Sequence, residues 1–146
     1  MRIAVLNGPN LNLLGVREPE IYGRETLADV EARLRALAVE LGVEVEFAQR
    51  NGEGELVDLI QQMRGRVDGA LINAGAYSHT SLAIRDAFKS VSVPYVEVHI
   101  SNIFAREPER RRTVLAGGAV ALLSGFGTLG YDLALRGLVA TLGARG

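Results

Sequence analysis

Five short apolar runs, each bounded by turn residues and each followed by a helical pattern or a polar loop, constrain this chain more than any other feature. They are RIAVLN (2–7), VEVEFA (43–48), DGALIN (68–73), PYVEVH (94–99) and AVALLSG (119–125). Their length and boundaries predict strands. Between the first two, Leu27, Val30, Leu34, Leu37, Ala38 and Leu41 recur at helical spacing, with Thr26 placed to cap and Gly42 to stop the helix. Further helices are predicted over 54–64, 80–89 and 127–142, with a shorter, arginine-rich one at about 107–113. Strand and helix thus alternate five times. Such alternation implies an α/β domain with a parallel sheet and helices on both faces, because right-handed crossovers change sides where the winding reverses. A chain of 146 residues, 48% hydrophobic and 23% charged, has the size and mix of one globular domain.

In open parallel sheets ligands bind beyond the carboxyl ends of the strands. Those ends are polar here: Asn7, Asn10 and Asn12; Gln49 and Asn51; Asn73 and His79; His99, Ser101 and Asn102; Ser124. Each residue alone suits an ordinary turn or cap. Both histidines of the chain, however, follow strands three and four and should face one crevice. Composition narrows the chemistry. A net charge of −1 gives no nucleic-acid or membrane footprint, so a small-molecule or protein partner is expected. Without cysteine there is no disulfide, thiolate metal site or thiol nucleophile. Of the 16 basic residues only Lys89 is a lysine, near the end of a predicted helix, which is a poor address for Schiff-base catalysis. The opening MRIAVLN enters a strand without the apolar core of a signal peptide, and a cytoplasmic protein is expected.

GFGTLG (125–130) matches a dinucleotide fingerprint, but only 16 residues follow Gly130, too few to supply the ribose-binding acid; a tight turn with close helix packing is expected instead. Asn7 and Asn73 stand where a phosphoacceptor receiver needs acids for magnesium. The loop GPNLNLLGVREPEIYG (8–23) is too long to be only a connector. Within it Tyr22 has Arg17 five residues before and Arg24 two after. Tyr22 can be a lid or interface aromatic among solvated charges, or a phenolate base. A cation ~4 Å away at an effective dielectric of ~20 is worth about 4 kcal/mol, enough to bring a phenol with an ordinary pKa near 10 into the range of a general base.

LNGPNLNLLGVREPEIYG, INAGAYSHTSLAIRDAF and VEVHISNIFARE resemble, in order and spacing, the signature segments of the type II 3-dehydroquinate dehydratase family, and the resemblance runs from about Arg2 to Leu142. It implies a flavodoxin-like doubly wound sheet of strand order 2-1-3-4-5. It also implies reversible anti elimination of water from 3-dehydroquinate through an enolate, on the shikimate pathway, with no cofactor and no metal. By position, Tyr22 would take the proton next to the ketone, Arg17 would favour its phenolate, and Asn10 would help hold the water that stabilises the enolate. His99 would protonate the departing hydroxyl, with Asn73 orienting it and Glu97, two residues back on the same strand face, as the partner of the imidazole. His79, Ile100, Ser101 and Arg110 resemble substrate-binding positions. Asp86 resembles a residue that reaches into a neighbouring subunit's site, in keeping with the family's trimers assembled into a dodecamer. Residues 1–146 would then form one catalytic domain, with a lid at about 8–24 that carries Arg17 and Tyr22.

The chain departs from the family pattern at Glu109, where phenylalanine is common, and at Arg112 and Thr113, where histidine and serine are. Arg50 and Gly52 replace a serine and a bulkier residue in the turn after strand two, where altered packing is expected. Two alternatives stand beside the dehydratase: a non-catalytic module of this fold that senses a small carboxylate, and another enolate-forming lyase or isomerase acting on a related polyol acid.

Overall fold

The computed structural model describes residues 1–16 and 18–145, and for Ile21 and Tyr22 the backbone alone. Strands β1 (Arg2–Asn7), β2 (Glu44–Gln49), β3 (Gly69–Asn73), β4 (Tyr95–His99) and β5 (Ala121–Ser124) form one parallel sheet of order β2-β1-β3-β4-β5. Strand boundaries lie within two residues of those read from the apolar runs. Side chains alternate along each strand: Ile3, Val5, Leu71, Val96 and Val98 pack on one face, and Ala4, Leu6, Ala70, Ile72 and Tyr95 on the other.

The helices are α1 (Pro19–Tyr22), α2 (Leu27–Leu41), α3 (Glu53–Gln62), α4 (Leu82–Val91) and α5 (Leu129–Arg145). The first face is covered by α2 and α5 through Val30, Leu34, Leu37, Tyr131, Leu135 and Leu138. The second is covered by α3 and α4 through Leu56, Ile60, Ile84 and Phe88. Thr26 and Asp29 cap α2 reciprocally, each side chain accepting from the other's backbone N–H, and Gly42 ends the helix at φ 71°. At the start of α3, Glu55 folds back to accept from the Gly52 N–H at 3.2 Å. A Cβ on residue 52 would stand 2.6 Å from that carboxylate, so the glycine admits this cap. Among the described residues no helix is long and apolar enough to cross a membrane.

The fourth connection corrects the sequence reading. No helix forms over 107–113, and the link from β4 to β5 is instead three short 3-10 turns, Ile103–Ala105, Pro108–Arg110 and Ala116–Gly118. The run has no apolar stripe to bury, and its polar groups are committed elsewhere. The Arg112 carbonyl accepts from His79 at 2.7 Å, and the Val114 N–H donates to the Ser78 carbonyl at 2.9 Å. Leu115 then inserts, fully buried, into the α3–α4 face.

The glycine-rich segment before α5 is a turn, with Gly125 at φ 102° and Gly127 at φ 63°, whereas a Cβ on residue 130 would meet Val98 only at an ordinary 3.5 Å. The carboxyl ends of β1 and β3 lie side by side, Asn7 opposite Asn73. The Gly8 N–H donates to the Asn73 carbonyl at 2.8 Å, and a Cβ on residue 8 would lie 2.5 Å from the Ala74 carbonyl oxygen.

Candidate active site

A cleft opens at the carboxyl ends of β1, β3 and β4, lined by Asn10, Asn73, His79, His99, Ile100, Ser101, Arg106 and Arg110, with Leu11 and Leu14 forming part of its wall. Parallel strands in register deliver these groups together. Asn7 stands beside both Gln49 and Asn73, and His99 beside Ser124.

The loop after β1 begins as a fixed structure. Leu11 and Leu14 are buried, and Asn10 takes the left-handed conformation at φ 71°, which asparagine tolerates better than most residues. Its N–H donates to Asn51 Oδ1 at 3.1 Å, and Gln49 Nε2 donates to Asn51 Oδ1 and to the Gly8 carbonyl, both at 3.0 Å. The polar residues that end β2 therefore hold the start of the loop.

His99 sits at the end of β4, 5% exposed, with its Nε2 hydrogen-bonded to Glu97 Oε2. Glu97 is fully buried, and its other oxygen accepts from the Thr113 hydroxyl at 2.9 Å. An imidazole whose Nε2 is held by a carboxylate has its tautomer and ring plane set, leaving Nδ1 as its second exchangeable position. The ring of His79 stacks against that of His99, centroids 6.0 Å apart. His79 donates its Nδ1 proton to the Arg112 carbonyl, which makes Nε2 the acceptor when the ring is neutral.

Asn73 is likewise oriented. Its Oδ1 accepts from the Gly75 N–H at 3.2 Å, and its Nδ2 donates to the Tyr131 hydroxyl at 3.0 Å. Tyr131 in turn donates to Asn7 Oδ1. Complete burial pushes the Tyr131 phenol well above its ordinary range. Arg110 pairs with Glu107 at the cleft rim. The Glu107 carboxyl lies below the usual range because of its own backbone N–H first and Arg110 second. Arg106 reaches Ser101 Oγ at 3.5 Å.

Of the residues expected from the sequence, the structure brings Asn10, Asn73, His79, His99, Ile100, Ser101 and Arg110 into this cleft. Asp86 lies apart on α4, with its side chain 68% exposed and 3.6 Å from Arg85. Arg17 lies outside the described residues, as does the side chain of Tyr22. Sequence reasoning missed Arg106, Tyr131 and the support given by Thr113. Arg106 carried a signal in its position five residues past Ser101, whereas the other two matter through distant partners. Among the described residues no group of three or more His, Asp or Glu side chains could hold a metal ion.

A doubly wound sheet whose cleft gathers an acid-paired imidazole, the oriented Asn73, Asn10 and two arginines has the character of a flavodoxin-like acid–base enzyme for a small oxygen-rich acid. A family model described as dehydroquinase class II matches residues 1–139, and the chain belongs to that family. A curated relative from Gemmatimonas aurantiaca, a 3-dehydroquinate dehydratase, is 56% identical over 142 residues, covering 97% of this chain and 93% of the relative. The crystal structure of a type II dehydroquinase from Butyrivibrio crossotus superposes with a TM-score of 0.92 at 43% identity, covering 94% of this chain and 97% of that one. A type II dehydroquinase from Propionibacterium acnes gives 0.91 at 44% identity, covering 95% and 96%. Both neighbours share the fold along nearly their whole length.

Proposed function

We infer that the chain is a 3-dehydroquinate dehydratase of the shikimate pathway, a hydro-lyase that converts 3-dehydroquinate reversibly to 3-dehydroshikimate by anti elimination through an enolate. The observation that carries this reading is the buried Glu97–His99 pair facing Asn10 and Asn73 across one cleft. Tyr22, as a phenolate that Arg17 favours, takes the proton next to the ketone, and the C–H electron pair moves into the enolate. Asn10 helps hold the water that stabilises the enolate oxygen. Collapse of the enolate expels the C1 hydroxyl, His99 gives it a proton, and water leaves. The proton on Tyr22 then returns to His99 through solvent, so the cycle consumes nothing but substrate.

His79, the backbone of Ile100, Ser101 and Arg110 hold the carboxylate and ring hydroxyls, and Asn73 orients the acid side of the site. Residues 1–146 act as one catalytic domain, with residues 8–24 as the lid and with no cofactor or metal required. The exposed position of Asp86 on α4, outside its own cleft, suits a contact with a neighbour's site in a dodecamer built from trimers. The enzyme works in the cytoplasm.

The deciding experiment mixes purified protein and 3-dehydroquinate in chelator and follows the ultraviolet absorbance of the enone product. Turnover should persist in chelator and fall on the order of 10³-fold in Tyr22→Phe, the scale of a lost general base. A folded wild-type protein that forms no enone would overturn the reading.

A further inference from the structure

The Glu97–His99 pair rests on a third residue that the sequence marks only as a departure from the family pattern. We propose that Thr113 is a positioning residue for the acid side of the reaction, its hydroxyl orienting Glu97 so that Glu97 in turn orients His99. The proposal deepens the dehydratase reading and rests on His99 as the proton donor.

Hydrogen-bond chemistry fixes the direction of the chain. The Leu115 N–H can only donate, and it points at Thr113 Oγ1 from 3.1 Å. The Thr113 oxygen is the acceptor there, which leaves its single proton for Glu97 Oε1 at 2.9 Å, an oxygen that as carboxylate only accepts. The second carboxylate oxygen is taken by His99 Nε2. Glu97 is fully buried, so no solvent competes for either oxygen. Rotating the carboxylate would break both contacts at once and leave a buried acceptor unpaired.

The anchor behind Thr113 is rigid. Leu115 is fully buried, and its carbonyl accepts from the Tyr95 hydroxyl, which stands on the same strand as Glu97 and His99. The chain therefore closes on β4 and ties the fourth connection to the strand that carries the acid. β-Branching adds to the hold, because it restricts the χ1 rotation that would swing the hydroxyl away.

The test compares Thr113→Val, which keeps the shape and removes the hydroxyl, with Thr113→Ser, which restores it. The valine variant is expected to lose about 10–100-fold in kcat, the scale of a catalytic group displaced by a fraction of its hydrogen-bond length, with KM within about twofold. The serine variant should stay within about threefold of wild type. In a Glu97→Gln background Thr113→Val should cost little more, because its effect passes through Glu97. The downfield proton resonance of the His99 Nε2–H should move in the valine variant and hold in the serine variant.

A valine variant with wild-type kcat, or one whose cost is fully additive with Glu97→Gln, would overturn the proposal. Should the valine variant not fold, the serine variant decides, since a serine variant slowed tenfold with an intact fold means that the hydroxyl is not what matters. Should the wild type fail to turn over 3-dehydroquinate, the dehydratase reading falls, while the His99 resonance still reports whether Thr113 orients the pair.

Discussion

Tyr131 touches the ends of the neighbouring strands β1 and β3 at once. Its hydroxyl donates to Asn7 and accepts from Asn73, and the side chain is completely buried. Removing only that oxygen, as in Tyr131→Phe, keeps the ring packing but leaves two buried amides short of a partner. A loss of about 1–3 kcal/mol is expected, since an unsatisfied buried polar group costs that much. The Asn73 amide would also be freer to rotate at the cleft, so KM should rise in the same variant. Urea midpoints and steady-state kinetics check the two effects separately, and unchanged values in both would show that the hydroxyl is incidental. Gly8 presents a different constraint. The atom facing its missing Cβ is the Ala74 backbone oxygen at 2.5 Å, which cannot move aside as a side chain can. Gly8→Ala is expected to cost about 1–3 kcal/mol as overpacking at a rigid contact, read again from the urea midpoint.

At the scale of elements, Arg33 binds three parts of the fold that are far apart in sequence. From α2 it donates to Asp132 at 2.9 Å and to the Thr128 carbonyl at 3.0 Å at the start of α5, and it pairs with Glu25, where the long loop rejoins the helix. Thr128 also donates to Glu25 at 2.9 Å. With the arginine side chain 35% exposed, solvent screens these pairs, and Arg33→Met should cost only about 1–2 kcal/mol, a few degrees in Tm. Arg33→Lys should restore little, because an ammonium cannot span the same fork of acceptors. A lysine variant as stable as wild type in thermal unfolding would count against the geometric account. These contacts also mark what a sequence can convey. The strands and the long helices follow from local periodicity, and Asn73, His79 and His99 follow from the rule that sites gather at strand ends. The conformation of 107–113 does not, because His79, Ser78 and Glu97 decide it from outside. Tyr131 was equally hidden, its acceptor Asn7 being 124 residues away.

For the whole molecule, burial of tyrosine hydroxyls sets an alkaline limit on stability. Burial first, and the nearby Glu97 second, push the Tyr95 phenol up to about 12, and burial raises Tyr131 further still. Both folded-state values lie above the unfolded one near 10. Between them the unfolded chain has released protons that the folded chain retains, so the unfolded state gains relative to the folded one as pH rises. The contribution is therefore fully present below pH ~10 and is lost on going up through the folded values, at about 1.4 kcal/mol per pH unit for each phenol. The urea midpoint should accordingly fall steeply from pH ~10 upward. Tyr95→Phe should flatten that fall by the share of one proton, although it gives up the bond to the Leu115 carbonyl and begins about 1 kcal/mol less stable at neutral pH. Urea titrations of wild type and variant at several pH values from 8 to 12 separate the two effects. Parallel curves would mean that Tyr95 ionises alike in both states, and would remove burial as the source of the alkaline limit at this position.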